Sequence, residues 1–237
     1  MAMTIDELQQ LRTLPPLREA ATATDGTPVY AGEVDGVDAF RLWSDLRRLH
    51  EHTGWWPVLA GEPDELASVL IGLCPDFAPG TTTPSNPDLL SEEVTADAVH
   101  ALAAHVEAEL DLTQAGGIHV SALGQDRTTL CLVQAPAGHD VPALLNWLGA
   151  CNYDLNGADH QAVLRHFHTH YGADLVTLEP DIIELLVHRR PATPESLATA
   201  TLEHLAYCPD IVSQGVGSLE ALAAGQLRAG SWYFWWD

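Results

Sequence analysis

The chain has 237 residues, 46% of them apolar, enough to bury a full core as one large domain or two small ones, and this excludes a disordered polypeptide. Thirty-three acids face ten bases, every base an arginine, for a formal charge of −23 at pH 7 that repels nucleic acid and anionic membrane surfaces. No apolar run approaches the roughly 18 residues that span a bilayer, and the opening Met-Ala-Met-Thr-Ile-Asp-Glu-Leu has neither the basic region nor the apolar stretch of a secretory signal, so a cytoplasmic location is expected.

The first 20 residues read as a short helix followed by Pro15-Pro16, and apolar alternation from Pro28 to Val34 predicts a strand. Phe40, Trp43, Leu46 and Leu49 recur at helical spacing, with Asp38, Arg41, Asp45 and Arg48 on the other side, so Val37 to Leu49 forms an amphipathic helix that stops at Thr53-Gly54. Trp55 to Ala60 reads as a strand and Asp64 to Leu73 as a second helix entered through Pro63. Pro75 to Ser91 holds four prolines and three consecutive threonines, which marks a linker.

A long helix follows over Val94 to Leu110, with Val99, Leu102, Val106 and Leu110 on its buried side, ending near Gly116-Gly117. Beyond it the pattern predicts a strand over Thr128–Val133, a short helix over Val141–Leu148 and a helix over His160–Tyr171 stopped by Gly172. A hairpin of Leu175–Leu178 and Ile182–Val187 comes next. Thr193-Pro194-Glu195 is a helix start, with Thr193 as cap and proline in the first turn, and Cys208-Pro209 ends that helix near Tyr207. A last helix begins at Ser218. The chain then runs into five consecutive aromatics, Trp232 to Trp236, and closes on Asp237. Five rings in water would invite aggregation, so this segment is expected to be a docked strand. Strand geometry then sends Trp232, Phe234 and Trp236 one way and Tyr233 and Trp235 the other.

These elements predict an α+β fold: a mixed, partly antiparallel sheet with packed helices and the C-terminal aromatic strand docked in it. Residues 1–92 are expected to form an N-terminal α/β segment carrying the Pro/Thr-rich linker at 75–91, and 93–237 a C-terminal α+β domain, the two halves being also compatible with one architecture. The four cysteines, Cys74, Cys131, Cys151 and Cys208, form no CxxC pair and are expected to be reduced and mostly buried.

Several ordered motifs of the C-terminal half stand out. They are Asn152-Tyr153, the helix Val163-Leu164-Arg165-His166-Phe167-His168-Thr169-His170-Tyr171-Gly172-Ala173, then Tyr207-Cys208-Pro209-Asp210-Ile211-Val212 with Gln214-Gly215, and the ending Phe234-Trp235-Trp236-Asp237. In these residues the chain resembles, over about Arg127 to Asp237, the bacterial family known as domain of unknown function 4253, common in actinobacteria. Weaker echoes lie at Leu46-Arg47 and Thr53-Gly54-Trp55-Trp56-Pro57. The resemblance implies a shared fold; the family carries no assigned reaction.

Four groups of residues are candidates for chemistry. Imidazoles at His160, His166, His168 and His170 are the material of a transition-metal site, but helical geometry puts only His166 and His170 on one face, His168 on the opposite side and His160 toward the core. Those two form the metal candidate; no other cofactor is expected. Tyr207-Cys208-Pro209-Asp210 places a thiol at a helix C-terminus beside an acid, where both oppose thiolate formation, so Cys208 reads as packed and Asp210 as a cap. Gln214-Gly215-Val216-Gly217-Ser218 is a glycine turn before a helix without the third glycine of a dinucleotide fingerprint. Trp55-Trp56, Trp232, Trp235 and Trp236 are candidates for a surface contact.

Neither a GxSxG elbow nor an HExxH pair is present. The leading expectation is a non-enzymatic acidic module that binds a protein partner, a basic one in its specific form, such as an immunity-like inhibitor of a toxin or nuclease. Its candidate contact residues are His168, Tyr207, Asp210, Gln214, Trp235 and Trp236, with neither nucleic acid nor membrane as partner. One alternative is a metal-assisted enzyme using the His160–His170 helix with a carboxylate such as Asp210 or Glu184. Another is a small-molecule binder with an aromatic pocket.

Overall fold

A computed structural model describes residues 3–77, 82–91, 93–113 and 116–237. Its elements in chain order are α1 (Ile5–Leu11), β1 (Arg18–Thr22), β2 (Pro28–Asp35), α2 (Gly36–Thr53), β3 (Trp55–Leu59), α3 (Leu66–Val69), α4 (Ala96–Glu109), β4 (Arg127–Gln134), α5 (Val141–Leu144), α6 (Gly157–Tyr171), β5 (Ala173–Leu178), β6 (Ile182–Val187), α7 (Pro194–Tyr207), α8 (Leu219–Ala224) and β7 (Ser231–Trp235). The strands form one seven-stranded sheet in the order β1-β2-β4-β3-β5-β6-β7. Every pairing is antiparallel except β3 with β5. The fold is α+β with a mixed sheet, as the interleaved patterns predict.

Alternation along the strands builds a layer on each face of the sheet. In β4, Leu130 and Leu132 face a layer made by α1 and α2 with Leu8, Ala39, Trp43 and Leu46, together with Trp55 and Leu59 of β3. Cys131 and Val133 face the opposite layer, where Trp56 and Val58 meet α3 to α8. Trp43 is locked to β3 by its indole N–H, which donates to the Pro57 carbonyl at 3.0 Å. Strands from both halves of the chain share the sheet: β3 lies between β4 and β5. The expected linker, 75–91, lies in part outside the described residues, as does residue 92; within it, the Asn86 N–H donates to Asp159 Oδ1 at 2.9 Å at the start of α6.

The caps follow the sequence. Gly54 closes α2 at φ +75°, with its N–H on the His50 carbonyl, and Gly172 closes α6 at φ +59°. Asn156 and Asp159 form a capping box at the start of α6, and Thr193 caps α7 ahead of Pro194. Two expected helices are shorter than their patterns. The one over Val141–Leu148 ends at Leu144 because Asn146 turns to φ +45° and gives its side-chain N–H to the Gly72 carbonyl at 2.8 Å. The one over Asp64–Leu73 is reduced to α3, and the turn after it packs so closely that a Cβ on Gly72 would lie 1.9 Å from the Asn146 carbonyl oxygen. Strand β1 is an addition: it is a sheet edge with no buried residue, so its sequence carries no burial pattern to read. Among the described residues no helix is long and apolar enough to cross a membrane.

Candidate functional site

The C-terminal motifs converge around β7. Trp232, Phe234 and Trp236 point into the layer of α6 and α7, while Tyr233 and Trp235 face the other way. Trp236 stacks edge-on against Trp147, His160 and Tyr207, and its indole N–H donates to the Tyr207 carbonyl at 3.3 Å. The Cys208 thiol donates to the Trp235 carbonyl at 2.9 Å, and the Asp237 N–H donates to Asp210 Oδ2 at 3.0 Å. Asn152 donates to the Asp237 carbonyl, and Gln214 Nε2 donates to Asp210 Oδ1 at 3.1 Å. These residues act as clamps that dock the last strand.

Burial sets their chemistry. It pushes the Cys208 thiol up to about 11, which leaves a protonated, packed sulfur. It pushes His160 and His204 down to about 3, so both are neutral, and raises the Tyr207 hydroxyl well above its ordinary value. Tyr207, Asp210 and Trp236 are therefore corrected as contact candidates: at 1%, 3% and 2% exposure none reaches a partner. Trp55, Trp56 and Trp232 are buried as well, because the sheet has a packed layer on each face. Of the contact candidates, Gln214 is exposed and His168 and Trp235 are partly so. The cysteines divide evenly, Cys131 and Cys208 buried, Cys74 and Cys151 exposed, which corrects the expectation that most are buried.

On α6, His166 and His170 share a face with ring centroids 4.1 Å apart, while His168 turns to the opposite side. The carboxylate that meets His166 is neither Asp210 nor Glu184 but Glu203 of α7: His166 Nε2 lies 2.7 Å from Glu203 Oε1, and the Tyr171 hydroxyl donates to Glu203 Oε2 at 2.8 Å. Burial, and then the neighbouring Glu203, raise the Tyr171 hydroxyl above its ordinary value. His166 and Glu203 line a cleft of about 470 Å³ with Asp159, Leu90, Val94 and Val163. Glu203 carried a readable signal, since an acid among Ala200, His204 and Tyr207 on the apolar side of a helix calls for a buried partner. Among the described residues no group of three His, Cys, Asp or Glu side chains is placed to hold a metal ion.

His168 joins a different centre. Asp174, 4% exposed at the start of β5, accepts from Arg47 Nε at 3.0 Å and Nη2 at 3.3 Å, and lies 3.3 Å from His168 Nδ1 and 3.2 Å from His188 Nε2. The Arg47 guanidinium lies 4.4 Å over the Trp56 ring, which fixes its plane.

The outward side of β6 and β7 carries Tyr233 and Trp235 at the surface, with the Trp235 indole donating to Asp181 Oδ2 at 3.1 Å. Glu184 pairs with Tyr233 across the two strands, and the exposed Ile118 and Leu123 lie in the segment laid over this face. Among the described residues no arginine of an ion pair is drawn to it. Six of the ten arginines, Arg12, Arg41, Arg47, Arg48, Arg127 and Arg165, are held against carboxylates elsewhere.

Residues 129–237 match the family model described as Domain of unknown function (DUF4253). The matched span runs from within β4 through β7 and takes in the clamps around Tyr207, Asp210 and Asp237, so the resemblance carried by those motifs holds over the C-terminal half of the chain. No curated protein and no solved structure matches the chain.

Proposed function

We propose that this protein is a non-enzymatic, acidic protein-interaction module that docks a basic protein partner on the outward face of β6 and β7, around Tyr233 and Trp235. The observation that carries the reading is the fate of the arginines. Six are neutralised by carboxylates of the same chain, and Arg189 is spent on the His168 and Thr169 carbonyls. With seven of the ten arginines so engaged, the excess of acids is only weakly offset at the surface, and such a field speeds the approach of a cationic surface. Tyr233 and Trp235 supply aromatic faces that accept an arginine or lysine head, with Asp181 beside them. Inhibition of a basic toxin or nuclease is one form such a module takes, and a cytoplasmic location suits it.

The test is capture with the wild-type chain and with a Tyr233→Ala, Trp235→Ala variant of unchanged circular dichroism. The reading holds where a basic protein is retained by the wild type, released by salt and lost from the variant. Retention of an acidic protein, or equal retention by both chains, overturns it.

A second reading rests on a separate observation, the His166–Glu203 contact in its cleft. A carboxylate that orients an imidazole is the arrangement of an enzyme's general base. His166→Ala would abolish turnover in such an enzyme and leave partner binding on the far side of the sheet intact.

A further inference from the structure

Ser121 stands between two buried carboxyl groups. Its hydroxyl oxygen lies 3.0 Å from Glu179 Oε1 and 2.9 Å from Glu184 Oε2, while its backbone N–H donates to Glu184 Oε1 at 2.9 Å. A serine hydroxyl has one proton and satisfies one carboxylate. Were both glutamates ionised, one carboxylate oxygen would face a hydroxyl lone pair at hydrogen-bond distance, in a site where Glu179 is 6% and Glu184 3% exposed and water cannot repair the contact. Glu184 already takes the backbone N–H, so it is the group held as the anion. Glu179 is left to supply the missing proton.

We propose that Glu179 and Glu184 share one proton through Ser121 at neutral pH, in the chain Glu179 Oε–H to Ser121 Oγ–H to Glu184 Oε, and that this proton latches the Gly116–Gly124 segment onto the sheet. The other end of the segment is fastened without titratable groups. Ser231 Oγ donates to the His119 carbonyl and accepts its N–H, both at 2.8 Å, and the Gly230 N–H donates to the Gly117 carbonyl at 2.8 Å. Val120 between the two fastenings is buried in the layer of α1 and α2. Loss of the proton thus frees the Ser121 end alone, beside Leu123.

The surroundings favour the protonated form. Glu65 approaches Glu179 across Gly61, Asp181 follows in the β5–β6 turn, and Tyr233 of β7 and Thr177 of β5 flank Glu184. Gln125 lies against Glu179. The charges nearest the pair are negative. Burial first, then the charges of Glu184 and Glu65, push Glu179 up to about 7, and burial raises Glu184 too. The latch stands on its own geometry, whether or not this face docks a partner.

The test is a carbon-13 carboxyl titration of the full glutamate-labelled chain from pH 5 to 9, with hydrogen exchange of the Ser121 amide read alongside. One glutamate is expected to titrate near neutrality and to vanish from the spectrum in Glu179→Gln. In Glu184→Gln its midpoint should fall by about one unit, a tenfold loss of proton affinity. Protection of the Ser121 amide, corrected for intrinsic exchange, should drop across the same midpoint in the wild type and stay level in Glu179→Gln, whose amide donates at every pH. A midpoint unmoved in Glu184→Gln assigns the shift to burial alone and overturns the shared proton. Protection that ignores the titration overturns the latch.

Discussion

The Tyr207 hydroxyl lies 2.7 Å from His160 Nδ1, with the imidazole wholly buried against Trp147 and Trp236. His204 is equally buried against Trp232 and Phe234. Burial holds both imidazoles neutral down to about pH 3, whereas in the unfolded chain each takes a proton near its ordinary 6.5. Between those values the unfolded state binds more protons, so stability rises with pH and is lost as pH falls through 6 toward 4. The loss is about 1.4 kcal/mol per pH unit for each histidine. Urea unfolding at pH 7, 6 and 5 checks this: His160→Phe should lower stability at pH 7 yet remove the His160 share of the slope, and an unchanged slope counts against the assignment.

Much of this fold is visible in short-range pattern. The alternation of Trp232, Phe234 and Trp236 against Tyr233 and Trp235 needs only the strand period, and Gly54, Gly172, Thr193 and Pro194 mark helix ends through backbone chemistry that acts within a few residues. What stayed hidden depends on contacts between residues far apart in the chain. Asn146 leaves its helix for Gly72, His166 finds Glu203 rather than Asp210, and Ser121 reaches Glu179 and Glu184 from a stretch, between Gly117 and Thr128, whose sequence predicts no element. Arg47 is similar: it follows Trp43 by one turn on its helix, and only the fold brings it to Asp174 and lays it over Trp56. Each site is assembled by the sheet order, which places β3 next to β5 and β7 on an edge.

Trp236 is the test of the docked strand. It is 2% exposed, and its ring meets Trp147, His160, Tyr207 and Phe234. Replacing it with alanine removes those contacts and opens a cavity beneath the Asn152, Asp210 and Asp237 clamps, at an expected cost of about 3–5 kcal/mol. Deleting Trp232 to Asp237 should leave the chain unfolded or aggregated. A soluble truncation with the wild-type melting temperature would contradict the packing described for β7.

Arg47 and Asp174 predict a second large effect. The carboxylate is 4% exposed and the guanidinium side chain 25%, so the pair is mostly shielded from water. Arg47→Ala strands Asp174 with only the His168 and His188 imidazoles, and the expected loss is about 3 kcal/mol. The double variant Arg47→Leu, Asp174→Leu removes both charges and should recover part of it. Chemical denaturation of the three chains separates this from a simple loss of packing, in which the double variant would be the weakest.

The interaction face predicts the opposite balance, a large effect on binding with a small one on stability. Tyr233 is 37% exposed and lies outside the packed cluster of Trp232, Phe234 and Trp236, so Tyr233→Ala should cost only about 1 kcal/mol. Trp235 is more covered and its indole is tied to Asp181, so its truncation costs more, but neither change reaches the Trp232, Phe234 and Trp236 side of the strand. Against the captured partner, measured by calorimetry, each substitution should weaken affinity about 30-fold, near 2 kcal/mol, as aromatic anchors at the centre of an interface do. Raising salt should weaken the wild-type complex chiefly through a slower association, because the acidic field acts at a distance and the rings act on contact. Affinity unaffected by both substitutions would move the interface elsewhere, with the cleft that α6 forms with Leu89, Leu90 and Val94 the next surface to probe.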